Sequence, residues 1–98
     1  MKVKITKIDK AELPKYPTPD KKDYEAGQEN YGVSIPIDYW IIGELSYPIE
    51  ENKSIRALRT ERNGVKCAGL FHTSKVIKLE GNIAETENSK YQIEYLED

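Results

Sequence analysis

The dipeptide Asn63-Gly64 constrains the fold of this chain more than any other feature of its sequence. It lies between two runs of strand-favouring residues within the stretch 54–79. A two-residue type I′ turn needs a positive φ at both central positions, which asparagine tolerates and glycine adopts freely. The sequence therefore predicts a β-hairpin that turns at these two residues. The directly opposed pairs in this register are Arg62 with Val65, Glu61 with Lys66, Thr60 with Cys67 and Arg59 with Ala68.

The hairpin stretch is also the basic part of the chain. Residues 54–79 contain six lysines and arginines and one acid, whereas residues 80–98 contain one base and six acids. In one interpretation, neighbouring strands neutralise each other across the sheet, each exposed pair contributing about 0–1 kcal/mol. In the other, separate basic and acidic faces steer a charged partner toward the protein. The sequence leaves both interpretations open.

The segment 38–45 is the most apolar one, and it predicts a central strand that is covered on both faces. Alternation places Trp40 and Ile42 together on one face, and we expect both side chains to be buried. Gly43 indicates a bulge or a sharp bend, which is a means by which small sheets curl into barrels.

Short alternating segments elsewhere complete an all-β fold. In Lys2–Ile8, Val3 and Ile5 point inward and the lysines outward, and Tyr31–Ile35 reads as another strand. The chain holds about six to seven short strands, several of them joined by tight turns. We expect residues 1–98 to form a single small antiparallel barrel of SH3-like or OB-like kind.

Residues 9–30 interrupt this pattern. They contain three prolines, clustered charges and few apolar residues, which excludes a central strand. Thr18, Pro19 and Gly27 stand where a short helix would begin and end, so the segment is predicted to be a long loop or to contain one or two helical turns. Loops of about 20 residues in a small domain are commonly functional or disordered. A solvated excursion and a binding lid both fit the sequence.

Catalytic and metal-binding signatures do not emerge from the sequence. His72 is the one histidine and Cys67 the one cysteine, and their odd spacing points them to opposite faces of a regular strand. A Cys-His pair needs hydrogen-bond reach and a third orienting group, and a structural zinc site needs more ligands of this kind. We expect a protein that is not an enzyme, with no catalytic residues, no metal and no cofactor.

The composition also bears on location. A single cysteine excludes an internal disulfide and fits a reducing compartment. No apolar run approaches the roughly 20 residues that span a bilayer, and the first ten residues lack the apolar core of a signal peptide. We expect a cytoplasmic protein without a membrane partner.

Four segments in the second part of the chain form a recognisable set, namely SIPIDYWIIGEL, RTERNGV, FHTSKV and TENSKYQIEYL. Over residues 33–98 the chain resembles short uncharacterised proteins of bacteriophages and mobile elements. The resemblance covers about two-thirds of the chain and excludes the first 30 residues. It implies a small accessory protein that acts in a host cytoplasm, and it transfers no active site.

Two surface features suggest binding. The first is a surplus of tyrosine, a residue enriched at protein interfaces because it joins a large ring to a polar tip. The tyrosines outside the predicted core, and hence the candidates for protein binding, are Tyr16, Tyr24, Tyr31 and Tyr47.

The second feature is the basic hairpin, whose arginines could contact phosphates. The candidates for nucleic-acid binding are Arg56, Arg59, Arg62 and Lys66. Regular alternation places Arg56 and Arg62 on one face of the hairpin and Arg59 with Lys66 on the other.

These features give two hypotheses from different classes. The first is a protein-binding accessory module that occupies a surface of a host factor through its tyrosine-bearing loop and the barrel rim. The second is a barrel that binds single-stranded DNA or RNA through the basic hairpin over residues 54–66. We rank protein binding first, because a pI of about 5.5 argues against unspecific binding to phosphates. A third alternative is assembly of several copies through edge strands.

Overall fold

Six β-strands form a closed antiparallel barrel. In a computed structural model, which describes residues 1–15, 18 and 35–96, the strands are β1 (Lys2–Lys10), β2 (Trp40–Leu45), β3 (Ser54–Arg62), β4 (Val65–Glu80), β5 (Ile83–Thr86) and β6 (Ser89–Tyr95). Each strand pairs with its neighbours in the sequence, and β6 closes the barrel on β1. The predicted fold class is confirmed. The strand order is consecutive, unlike the Greek-key order of OB folds.

The predicted hairpin turn is present between β3 and β4. Asn63 and Gly64 have φ angles of 49° and 86°, and Arg62 pairs with Val65 across the turn. These are the two positive φ values that a type I′ turn requires. The turn is also tied to the start of β2, because Asn63 N donates to Trp40 O at 3.0 Å and Trp40 N donates to Asn63 Oδ1 at 2.9 Å.

Farther from the turn, the hairpin register shifts by one residue. The predicted pairing holds as far as Glu61 and Lys66, but Arg59 pairs with Gly69 and not with Ala68. The two pairs predicted beyond Glu61 are therefore wrong. The reason is a bulge, in which β4 contributes two residues opposite one residue of β3 and the local twist increases.

The barrel interior is filled by apolar side chains from all six strands. The two rings of Phe71 and Tyr91 meet edge to face, with centroids 6.2 Å apart and planes at 88°, a favourable geometry for aromatic pairs. The buried cluster consists of Val3, Ile5, Tyr39, Ile41, Leu45, Ile55, Ala57, Phe71, Val76, Ala84, Tyr91 and Ile93.

The expectation that Trp40 and Ile42 are buried in the core is wrong. Tyr39, Ile41 and Leu45 are the side chains of this segment that lie in the core, whereas Trp40 and Ile42 are half-buried. A closed barrel has one interior, so the second apolar face of a strand must be covered by side chains on the outside. Lys4 provides part of this cover, since its Nζ lies 4.5 Å from the Trp40 ring centroid in a cation–π contact.

Gly43 lies at an irregularity of the sheet, as predicted, and it also marks a close approach of two strands. The register of β2 against β3 shifts between Ile42 and Gly43. A Cβ atom at Gly43 would lie 2.7 Å from the backbone oxygen of Leu58, so only glycine fits here without moving the chain.

The predicted strand at residues 31–35 and the predicted loop or helix at residues 9–30 lie largely outside the described residues. Residues 9 and 10 belong to β1, and Ile35 is not in a strand. Among the described residues there is no helix long and apolar enough to cross a membrane.

Replacing Gly64 by valine tests the turn. Because a β-branched residue is strained at a φ of 86°, we expect Gly64→Val to lower the free energy of unfolding by more than about 1 kcal/mol. Gly64→Asn is the matched control and should cost less, since asparagine tolerates a positive φ. Urea unfolding of both variants measures the difference. Equal costs for valine and asparagine would contradict this account of the turn.

Candidate functional site

The β3–β4 hairpin is the candidate functional region, and we call residues 54–75 the basic arm. It comprises β3, the turn and the first part of β4. Its charged residues are Arg56, Arg59, Arg62, Lys66 and Lys75 against the single acid Glu61.

The arginines of the basic arm do not share one face. Arg56 is exposed and pairs with His72, which is also exposed. Arg62 pairs with Ile41, a residue of the barrel interior. Thr60 is an extra residue of β3 relative to β2 and shifts the alternation between these two arginines. The expectation that Arg56 and Arg62 lie on the same face is therefore wrong.

Arg59 uses part of its guanidinium within the basic arm. Its Nε donates to the backbone oxygen of Cys67 at 3.0 Å, and its Nη2 lies 3.5 Å from the oxygen of Ala68. The guanidinium lies across Gly69, where an added Cβ would be 2.6 Å from Nη2. Arg59 thus occupies the space that the missing side chain of Gly69 leaves open.

Lys66 is exposed and lies opposite Glu61 on β3. Pairs of opposite charge recur across the other strands, namely Lys2 with Glu44, Lys4 with Glu94 and Lys90 with Glu85. This arrangement supports the interpretation that neighbouring strands neutralise each other. The four basic candidates of the hairpin do not converge on one site.

Of the four tyrosine candidates, the structure describes one. Tyr16, Tyr24 and Tyr31 lie outside the described residues. Tyr47 is half-buried in the connection between β2 and β3, and its hydroxyl donates to the backbone oxygen of Ser54 at 2.8 Å. Its polar tip therefore fixes the start of β3.

An exposed apolar pair on the outside of the basic arm escaped the sequence-based search. Leu58 and Leu70 are directly opposed across β3 and β4, and 61% and 43% of their side chains are exposed. The neighbouring pair on the same face is Arg56 with His72. We call these four residues the leucine patch. The sequence of β3 does indicate that Leu58 is exposed. Ile55 and Ala57 point inward, so the alternation of the strand places Leu58 on the outer face.

Lys7 is a second residue that the sequence-based search missed. It occupies the third inward position of β1 and is fully buried, so the expectation that all lysines of this strand point outward is wrong. Its Nζ donates to the backbone oxygen of Ile35 at 2.6 Å and to the hydroxyl of Thr18 at 2.9 Å. Burial lowers the pKa of Lys7 to about 8, and the charge of Asp9 opposes this shift.

Two features of the described residues bear on metal binding and catalysis. No three of their histidine, cysteine, aspartate and glutamate side chains cluster in a way that could hold a metal ion. A groove of about 430 Å³ is lined by Ala11, Glu12, Leu13, Lys15, Ile77, Glu85 and Glu87. Its lining offers no cysteine, serine or histidine that could act as a nucleophile or base.

The buried Lys7 predicts a distinctive pH dependence of stability. Between pH 8 and pH 10.5 the unfolded chain still binds the proton that the folded protein has lost, so the free energy of unfolding rises with pH. The rise amounts to a few kcal/mol at most, since one pKa unit corresponds to about 1.4 kcal/mol. Below pH 8 the amine is protonated in both states and the contribution is constant.

Urea unfolding of the wild type and of Lys7→Met across this pH range tests the prediction. The wild-type free energy of unfolding should rise relative to that of Lys7→Met, because the variant lacks the titrating amine. Parallel pH profiles for the two proteins would show that Lys7 has an ordinary pKa in the folded state.

Comparison with known proteins gives no relative. No protein-family model, curated protein or solved structure matches the chain. Its function must therefore be inferred from the residues themselves.

Proposed function

We propose that this chain is a non-enzymatic protein-binding module and that the leucine patch is the surface that contacts its partner. The observation that carries this proposal is the exposed pair of Leu58 and Leu70 on a regular sheet face. Single exposed apolar residues are normal on proteins, but two directly opposed leucines form a continuous apolar surface. An apolar centre with a charged or polar rim, here Arg56 and His72, is typical of protein interfaces.

The charge of the basic arm indicates which partner surface fits. The arm carries five bases against one acid, although the whole chain has a net charge of −2. Complementary charges favour encounter with the right partner and disfavour wrong ones. The partner therefore presents an apolar patch with acidic residues around it.

The resemblance to bacteriophage and mobile-element proteins suggests where the partner comes from. In this proposal the chain is an accessory protein in a host cytoplasm, and it binds and modulates a host protein. This part of the proposal depends on the resemblance alone.

Nucleic-acid binding has less support. Arg56 and Arg62 lie on different faces, Arg59 bonds to its own hairpin and Lys66 faces Glu61. Few phosphates can then be contacted at once. Each contact adds only about −0.7 to the salt slope for single strands, so binding near physiological salt would be weak.

Capture from a bacterial lysate, with and without nuclease, tests the proposed function. The immobilised wild type should retain a partner protein in an amount that saturates, and nuclease treatment should not lower that amount. Leu58→Asp should lower the recovery at least tenfold, because an acid in the apolar patch opposes an acidic partner. Ile77→Asp is the matched control and should retain the partner, since Ile77 is an exposed strand residue outside the patch with 50% of its side chain exposed.

The variants must first be shown by urea unfolding to be equally folded. Recovery that disappears after nuclease treatment would favour nucleic-acid binding instead. Equal losses with Leu58→Asp and Ile77→Asp, or no saturable partner in any lysate, would contradict the proposed role of the leucine patch.

A further inference from the structure

Strand β4 pairs differently along its two parts. Residues 65–75 pair with β3, whereas β5 pairs only with residues 76–80. Within the described part of the chain, no strand lies along the second edge of residues 65–70, which we call the free edge. Five of these six residues are exposed, and 66% of the Val65 side chain is accessible.

The free edge has only two of the features by which proteins usually protect such strands, namely Lys66 and the bulge at residues 67–68. An exposed edge presents unpaired backbone N–H and C=O groups, and proteins protect it with charges, prolines or a covering segment. The free edge has the sequence VKCAGL, with one charged residue and no proline. Such a strand is a template for strand addition, a common mode of peptide recognition.

We propose that the free edge accepts an extended acidic segment of a partner protein as an added strand. This inference rests on the proposed protein-binding function and specifies the kind of partner. An added strand would continue the sheet, so that its alternate side chains point to the two faces of the arm.

The two faces beside the free edge differ in chemistry. On the outward face, Leu70 lies next to the edge and pairs with Leu58, which favours apolar side chains on the added strand. On the opposite face, the Arg59 guanidinium lies across Gly69 and presents a positive charge there. The fitting segment therefore alternates apolar and acidic residues.

Charge also argues against a second copy of this chain as the occupant. Residues 54–70 carry Arg56, Arg59, Arg62 and Lys66 against Glu61, a net charge of +3. Two arms joined edge to edge would bring these charges together, and opposed like charges destabilise strand pairs. An acidic segment has the opposite effect.

A pair of designed peptides tests the inference on the whole protein. One has eight residues in which valine alternates with glutamate, and its twin has lysine in place of glutamate. We expect the glutamate peptide to slow amide hydrogen exchange at residues 65–70 at least fivefold. The lysine twin at the same concentration should leave the exchange unchanged.

A substitution at Ala68 distinguishes strand addition from other contacts. Ala68 lies in the bulge and is paired with no residue of β3, so Ala68→Pro removes a backbone N–H from residues 65–70 without replacing a paired residue. Urea unfolding first establishes that the variant is as stable as the wild type. We expect Ala68→Pro to weaken binding of the glutamate peptide at least tenfold. Ala68→Ser is the control, keeps the backbone N–H and should bind like the wild type.

The outcomes separate this inference from the proposed function. If Leu58→Asp abolishes capture of the partner while neither peptide protects residues 65–70, the strand-addition inference is wrong and the leucine patch stands. Protection by the glutamate peptide without any captured partner would support the free edge and contradict the proposed function. Equal protection by both peptides would overturn the preference for an acidic segment. A dimer in sedimentation experiments, with residues 65–70 protected in the free protein, would identify a second copy as the occupant.

Discussion

The contact between Asn63 and the backbone of Trp40 is the interaction on which the arrangement of this barrel depends. The turn residue accepts a hydrogen bond through its side chain and donates one through its backbone, both to the first residue of β2. The tip of the β3–β4 hairpin is thereby fixed to a third strand. At Gly64 an added Cβ would lie 4.0 Å from the Trp40 ring, an ordinary contact, so glycine is favoured here for its φ of 86° and not for space. Asn63 thus supplies a positive φ to the turn and also fixes how the hairpin sits on the barrel.

Two of the three register shifts in the basic arm then decide which side chains it presents near Leu58 and Arg62. One adds Thr60 to β3 relative to β2, and the other adds a residue to β4 relative to β3. Each bulge shifts the alternation of inward and outward positions. As a result, Arg56 and Arg62 point in different directions, and Leu58 and Leu70 remain together on the outside. In regular strands with the predicted register, Leu58 would lie opposite Gly69 and not opposite Leu70, so the two leucines would not form a pair.

The sequence was sufficient for features that depend on local chemistry. The hairpin turn and the bend at Gly43 follow from the backbone preferences of a few residues, and the barrel follows from many short alternating strands. Gly43 indicated the irregularity between β2 and β3, but the bulge of β4 against β3 was not predictable, because no residue there signals it and the shift depends on how the two strands pair. Trp40 was misplaced because alternation does not show which of two apolar faces becomes the interior.

Lys7 shows the same limit for a single side chain. Alternation along β1 placed it inward, but the general preference of lysine for water suggested the opposite. The partner that makes burial tolerable is the backbone oxygen of Ile35, which is 28 residues away in the chain. The outward position of Leu58 was within reach of the sequence, since it follows from the alternation of β3, whereas its pairing with Leu70 depends on the bulge.

Amide hydrogen exchange of the free protein tests most directly whether residues 65–70 of β4 have β3 as their one partner strand and an open second edge. Residues 3–6 of β1 pair on both sides, so their amides should all exchange slowly. Along residues 65–70 of β4, slow amides bonded to β3 should alternate with amides that exchange much faster because they face the free edge. Uniformly slow exchange over residues 65–70 in a monomer would show that this edge is already covered, and would contradict the account.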